Sequence, residues 1–263
     1  MTTRDIPWTP GTPCWVDLIV KDVDQAASFY GELFGWECQE GSAEAAGYRM
    51  CLLGGRPVAG IGPGPQKFEM PSVWSTYLAT ADADGTARRV MEEGGSLLIE
   101  PFDVLDVGRM AVGFDPSGSA FGLWEAKSHI GANAVNEPGA LTWSECMTRD
   151  YDACQEFYGE VFGHEFNEIG DGSFRYATIS VQGLVVGGIG ELTFSMPPDV
   201  PSHWMTYFAS DEVDVTVKRA TELGAVLRTG PMDTPHGRLA VLEGLEGEVF
   251  SVITVAGREP AGG

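Results

Sequence analysis

Two acidic residues stand in matching company. Asp17 follows Trp15 by two positions and Glu145 follows Trp143 by two, the pairs lying 128 residues apart. Residues two apart on a strand project from the same face, so each carboxyl shares a face with an indole. A carboxyl held against aromatic walls loses hydration, its pKa rises, and it can donate or take up a proton near neutrality. Asp17 and Glu145 are therefore the leading candidates for acid–base catalysis, with Trp15 and Trp143 as flanking substrate contacts. Arg109 and Arg238 also recur between the two regions. They can bind substrate, or pair with the two acids and make them structural.

Aromatic residues and histidines supply the other candidates. Trp74 and Tyr77 recur as Trp204 and Tyr207, and alternation puts each Trp on the face opposite its Tyr. One set can stack on a planar ligand while the other packs in the core; Trp74, Trp204 and Tyr207 are carried forward as ligand contacts. His203 stands where the first region has Val73 and is a further contact. His236, in the loop PMDTPHGR, is a candidate general base because imidazole titrates near neutrality. His129 and His164 are assigned structural or solvent roles. The sequence has no GxGxxG after a strand, no Walker A and no GxSxG.

The elements that position these residues come from a duplicated chain. The segment GTPCWVDLIVKDVDQAASFYGELFGWE from Gly11 recurs as GALTWSECMTRDYDACQEFYGEVFGHE from Gly139. PSVWSTYLATAD likewise returns as PSHWMTYFASDE, and GRMAVGFDPSGSAFGLWE as GRLAVLEGLEGEVFSVIT. In the first half a strand over 15–20 leads to Asp22 as helix N-cap. Ala26, Phe29, Tyr30, Leu33 and Phe34 then form one apolar helical stripe, stopped by Gly35. Strands are expected near 48–53, 57–61 and 73–80, a helix over 82–93, and strands near 97–102, 109–114 and 120–124. Val16, Leu18 and Val20 should pack beneath the helix, which turns Trp15 and Asp17 the other way. The expected organisation is an N-terminal extension (1–10), a first domain (11–126), a connector (127–138), a second domain (139–256) and a tail (257–263). The fold class is α+β, with two βαβββ-like units in each half.

Bulk composition narrows the partners. The 263 residues carry 16 Lys and Arg against 38 Asp and Glu, a net charge of −22. Repulsion of this size excludes nucleic acid and anionic membrane surfaces as partners, and favours a neutral planar small molecule. The N-terminus lacks the apolar core of a signal peptide and no run is long enough to span a bilayer, so a cytoplasmic monomer or homodimer is expected. Five scattered cysteines show no metal or disulfide spacing and are expected to be thiols.

The strand–Asp22–helix–FYGELFGW stretch, the Asp82-led strand–helix junction and the DPSGSAFGLWE ending, with their echoes, resemble the vicinal oxygen chelate superfamily. That group includes glyoxalase I, extradiol dioxygenases and the fosfomycin and bleomycin resistance proteins. GTPCWVDL, WSTYLATAD, HIGANAVNEPG and GALTWSE resemble, more narrowly, tandem actinobacterial proteins of the glyoxalase-like and hydroxylase-like group, among them an accessory protein of anthracycline biosynthesis. The resemblance implies curled mixed sheets around cups, and a divalent metal held by His and Glu. The family's ligand positions fall on Trp15, Gly60, Thr76 and Gly122, and on Trp143, Gly188, Thr206 and Ser251. None is a strong ligand, so no metal or other cofactor is expected. The reading that follows is a tailoring enzyme for an aromatic, polyketide-like metabolite, acting by cyclisation, dehydration or assisted hydroxylation. A non-catalytic antibiotic-binding protein is the alternative, and a glyoxalase-like isomerase or lyase comes third.

Overall fold

The computed structural model describes residues 2–41, 43–64, 71–170, 174–193 and 200–254; the expected tail at 257–263 lies outside them. The first half runs β1 (Thr2–Thr3), β2 (Pro13–Val20), α1 (Val23–Phe34), β3 (Glu37–Glu40), β4 (Arg49–Leu53) and β5 (Arg56–Pro63). It continues with β6 (Val73–Thr80), α2 (Ala83–Glu92), β7 (Ser96–Val104), β8 (Gly108–Phe114) and β9 (Ala120–Ala126). After β10 (Ala134–Val135) the pattern returns as β11 (Leu141–Thr148), α3 (Tyr151–Phe162), β12 (Glu165–Glu168), β13 (Tyr176–Val181) and β14 (Leu184–Glu191). It closes with β15 (His203–Ser210), α4 (Val213–Glu222), β16 (Val226–Thr234), β17 (Gly237–Glu243) and β18 (Val249–Thr254).

Local chemistry sets the helix ends. The Asp22 side chain accepts a hydrogen bond from the Gln25 N–H at 2.9 Å, and Asp82 accepts one from the Gly85 N–H at 2.8 Å. Gly35 closes α1 at φ 75°, a left-handed conformation that costs a glycine little. Each half forms one eight-stranded mixed sheet, ordered β3-β4-β5-β2-β6-β9-β8-β7 and β12-β13-β14-β11-β15-β18-β17-β16. The two βαβββ units of a half therefore join to each other, through antiparallel β2–β6 and β11–β15 pairs.

Val16, Leu18 and Val20 are buried on the helix-facing side of β2, in one core with Phe29 and Tyr30 of α1. The first helix of each half also reaches into the other half. Tyr30 donates to Glu248 Oε1 at 2.9 Å and packs on Phe250, while Tyr158 donates to Asp115 Oδ2 at 3.0 Å and packs on Phe121. The halves thus share apolar cores while their cups face away from that contact.

Three features depart from the sequence reading. Cys38 and Cys51 form a disulfide, because the β3–β4 register sets them directly opposite each other; Cys14, Cys146 and Cys154 remain buried thiols. The short strands β3 and β12 were not expected, since their mostly exposed, polar residues carry little apolar alternation. The N-terminal segment and connector also pair, through β1 and β10. Among the described residues, no helix is long and apolar enough to cross a membrane.

Candidate active site

The two inward-facing acids lie at the centre of two related cups with different surroundings. In the first, β2 supplies Trp15 and Asp17, β6 sets Tyr77 opposite Trp15, and β9 sets Gly122 beside Tyr77. Tyr77 donates to Asp17 Oδ2 at 3.1 Å, and the Trp15 indole N–H donates to the Tyr48 hydroxyl at 3.1 Å. Asp17 Oδ1 is buried and has no hydrogen-bond partner. Burial pushes the Asp17 carboxyl up to about 7, with the Tyr77 hydrogen bond opposing the rise.

Glycine creates the room for these phenols. A Cβ at Gly60 would lie 1.7 Å from the Tyr48 hydroxyl, and one at Gly122 would lie 2.1 Å from the Tyr77 ring. A lid closes the first cup. The His129 ring meets Trp15 edge-on at 4.5 Å and Trp124 at 5.4 Å, and the Trp124 indole donates to the His129 carbonyl at 2.9 Å. Beneath this cover Asp17 is 6% exposed. His129 Nε2 is buried without a partner, and desolvation lowers the imidazole to about 4, leaving it neutral.

The second cup repeats the plan and opens it. The Trp143 indole donates to the Tyr176 hydroxyl at 3.1 Å, and Tyr176 donates to Glu145 Oε2 at 2.8 Å. Tyr207 donates to Glu145 Oε1. Glutamate is one methylene longer than aspartate, and Glu145 engages both phenols where Asp17 engages one. Ser251 takes the place of Gly122 beside the tyrosine. In the aligned repeat Ile253 replaces Trp124, so the indole that closes the first cup is missing. Trp143, Glu145, Tyr176 and Tyr207 are all partly exposed. Burial raises the Glu145 carboxyl, while the two tyrosine hydrogen bonds and the charge of His203 pull it back. His203 pairs with Met147 across β11 and β15, and its Nδ1 lies 2.8 Å from the Pro201 carbonyl, which can only accept. Nδ1 therefore carries the proton in the neutral ring.

The structure brings Trp15, Asp17, Trp143, Glu145 and Tyr207 to the cups, with His203 on the same strand face as Glu145. It places the remaining candidates elsewhere. Trp74 and Trp204 face the opposite side of their strands, where their indoles donate to Tyr30 and Tyr158 in the cores. Arg109 and Arg238 also face away: Arg109 pairs with Asp84 and Asp103, and Arg238 with Asp214 and Asp233. Neither guanidinium partners Asp17 or Glu145, whose hydrogen bonds come from tyrosines. His236 is exposed in the β16–β17 turn, with only its backbone N–H held, by Thr234. Thr76 pairs with Val16, and Thr206 with Ser144, so both face away from the acids; Tyr77 and Tyr207 occupy the cup positions one residue later. Tyr48, Tyr176 and Trp124 are cup residues to which the sequence reading gave no role, and His129, read there as structural or solvent-facing, covers the first cup. For the two tyrosines the signal was present, as each recurs at the same offset as the glycine beneath it.

Comparison with known proteins agrees with this architecture. The model of the Glyoxalase/Bleomycin resistance protein/Dioxygenase superfamily matches residues 14–123. CFP32 of Mycobacterium tuberculosis, which carries the provisional name of a glyoxylase, is 40% identical over 253 residues, covering 94% of this chain and 95% of that protein. The anthracycline biosynthesis protein DnrV of Streptomyces peucetius is 36% identical over 268 residues, covering 97% of each. Among solved structures, the Mn(II)-bound glyoxalase of Novosphingobium aromaticivorans aligns with a TM-score of 0.64 at 16% identity, over 93% of this chain and 82% of its own. The 2,2',3-trihydroxybiphenyl 1,2-dioxygenase of Sphingomonas wittichii gives 0.62 at 12% identity, over 94% and 91%.

The cup residues do not fit the divalent cation that such a fold can hold. With Tyr77 and Tyr207 facing the cups in place of the expected Thr76 and Thr206, the ligand positions carry Trp15, Gly60, Tyr77 and Gly122 in one cup, and Trp143, Gly188, Tyr207 and Ser251 in the other. Burial holds the tyrosine hydroxyls well above their usual pKa, which disfavours the phenolate a cation would need. Among the described residues, no three His, Cys, Asp or Glu side chains cluster to hold an ion.

Proposed function

This chain belongs to the Glyoxalase/Bleomycin resistance protein/Dioxygenase superfamily, and we propose that it is a metal-independent tailoring enzyme for an aromatic, polyketide-like metabolite, with Glu145 as its acid–base group. The observation that carries this reading is Glu145 itself: a partly exposed residue whose carboxyl is raised by burial and held by two phenols, with the charge of His203 adding to their pull. The name of DnrV, an anthracycline biosynthesis protein, supports the metabolite class.

The arrangement suits a dehydration or a cyclisation that begins by enolisation. The ionised Glu145 takes a proton from carbon next to a substrate carbonyl. It then returns the proton to a departing hydroxyl, which leaves as water. Tyr176 and Tyr207 donate to the carboxylate and fix its oxygens, so no reorientation is needed when the proton moves. Their hydroxyls stay protonated, because burial and the neighbouring carboxylate both raise them. Trp143 supplies a flat apolar wall for the substrate.

The test is turnover of hydroxylated polycyclic aromatic ketones by Glu145→Gln and Asp17→Asn. Replacing Glu145 should lower kcat by at least about 100-fold with little change in substrate affinity, in line with the usual worth of a general acid or base. Replacing Asp17 should change kcat by no more than a few-fold. Equal losses in the two variants, or tight binding with every ligand recovered intact from the unaltered protein, would overturn the assignment.

A further inference from the structure

A cavity of about 390 Å³ lies beside the second cup, against the N-terminal segment and the start of β11, and shares Trp143 with that cup. It forms because β11 pairs with β14 only from Glu145 to Thr148, so Leu141–Ser144 part from Val185 and Val186. Trp8, Val135, Leu141 and Trp143 contribute to its walls, and none of its lining residues is charged. Ser144 also lines it; this residue is 2% exposed and its hydroxyl has no hydrogen-bond partner.

The first half shows what such a parting can hold. There β2 and β5 pair only from Asp17 to Val20, and the connector fills the gap. The Ala132 N–H donates to the Cys14 carbonyl, and the Asn133 N–H to the Pro57 carbonyl, both at 2.8 Å. The repeat places Thr142 and Val185 at the positions of Cys14 and Pro57, and both line the cavity. An occupant of the second gap would therefore meet strand carbonyls and the Ser144 hydroxyl, between apolar walls that include two indoles.

We propose that this gap is a second small-molecule site, next to the Glu145 cup and sharing Trp143 with it, that takes a neutral hydroxylated aromatic. The volume is that of a small-ligand pocket. The uncharged lining excludes an ionic ligand, the indoles and the slot between strands favour a flat ring, and the carbonyls and Ser144 favour a hydroxyl that can donate.

The probe is 2-naphthol, titrated into the full chain with methyl-labelled Leu, Val and Met. Saturable shifts are expected at Leu141 and Val135, whatever happens at Met147 and Met205, which pair with His203 and Glu145 across β11 and β15 and so report on the cup. Val185→Trp grows a ring in from a position that is 57% exposed, and Thr142→Tyr provides an independent block. Each should raise the naphthol concentration needed for half-saturation at least tenfold. Ser144→Ala should weaken naphthol about fivefold, the worth of one hydrogen bond, and leave naphthalene unchanged. Shifts confined to Met147 and Met205, no saturable shift at Leu141 and Val135, or shifts there that persist undiminished in both blocked variants would overturn the proposal. Shifts at Leu141 and Val135 with none at the methionines would support this site and count against the cup as the aromatic-binding site.

Discussion

The two cups descend from one plan and have been finished differently. In the first, Gly122 makes room for the Tyr77 ring, and His129 from the connector packs between Trp124 and Trp15 to close the mouth. In the second, Ser251 and Ile253 stand in the corresponding places, and Trp143, Glu145, Tyr176 and Tyr207 are all partly exposed. The same acid–phenol pairing thus becomes a sealed core group in one half and an open, chemically usable one in the other. Side-chain length adds to the contrast, since Glu145 is held by two tyrosines while Asp17 keeps an oxygen without a partner.

The largest test of this contrast uses pH. Asp17 has a folded-state pKa of about 7 against a reference near 4, so its contribution to stability is present in full below about pH 4, declines above it, and is gone once the pH has risen through about 7. Relative to Asp17→Asn, the unaltered protein should lose on the order of 4 kcal/mol across that window in denaturant melts at a series of pH values. A flat difference would mean that Asp17 is solvated and the first cup open. The next test exchanges the floor residues. Gly122→Ser should destabilise by about 3 kcal/mol through overpacking under Tyr77, while Ser251→Gly should cost less than about 1 kcal/mol. Equal costs would remove the distinction between the cups. The smallest effect is expected from Arg109→Ala and Arg238→Ala. These guanidiniums make solvent-screened ion pairs on the outer faces, so each loss should change stability little and leave substrate affinity unchanged.

Much of this was legible in the sequence. The 128-residue repeat gave the duplicated fold, and strand alternation with the apolar Val16, Leu18, Val20 set turned Asp17 inward. Alternation also separates Trp74 from Tyr77, but which side is the cup depends on pairing with β2, where a slip of one residue reverses the face. Such a slip separates Thr76, the ligand position by sequence, from Tyr77, which faces the cup in the structure. Tyr48 and Tyr176 recur at the offset of the glycines beneath them, but a tyrosine at the start of a strand looks like ordinary packing until that glycine is known to be adjacent. The arginines were misleading for a related reason: recurrence marks a shared structural need, here an ion pair to Asp84 or Asp214, as readily as a shared site. His129 has no described counterpart in the second half, so the repeat offered no hint of its covering role.

Chemical access to the two carboxyls tests the contrast most directly. Carbodiimide-activated coupling of a small amine to carboxyl groups, followed residue by residue by mass spectrometry under folded conditions, compares Asp17 with Glu145 in one sample. Labelling of Glu145 at least about ten times faster than Asp17 is the predicted result, since Asp17, a residue 6% exposed beneath His129 and Trp124, reacts only when the cup opens. Equal rates, or faster labelling of Asp17, would contradict the assignment of the open, reactive cup to the second half.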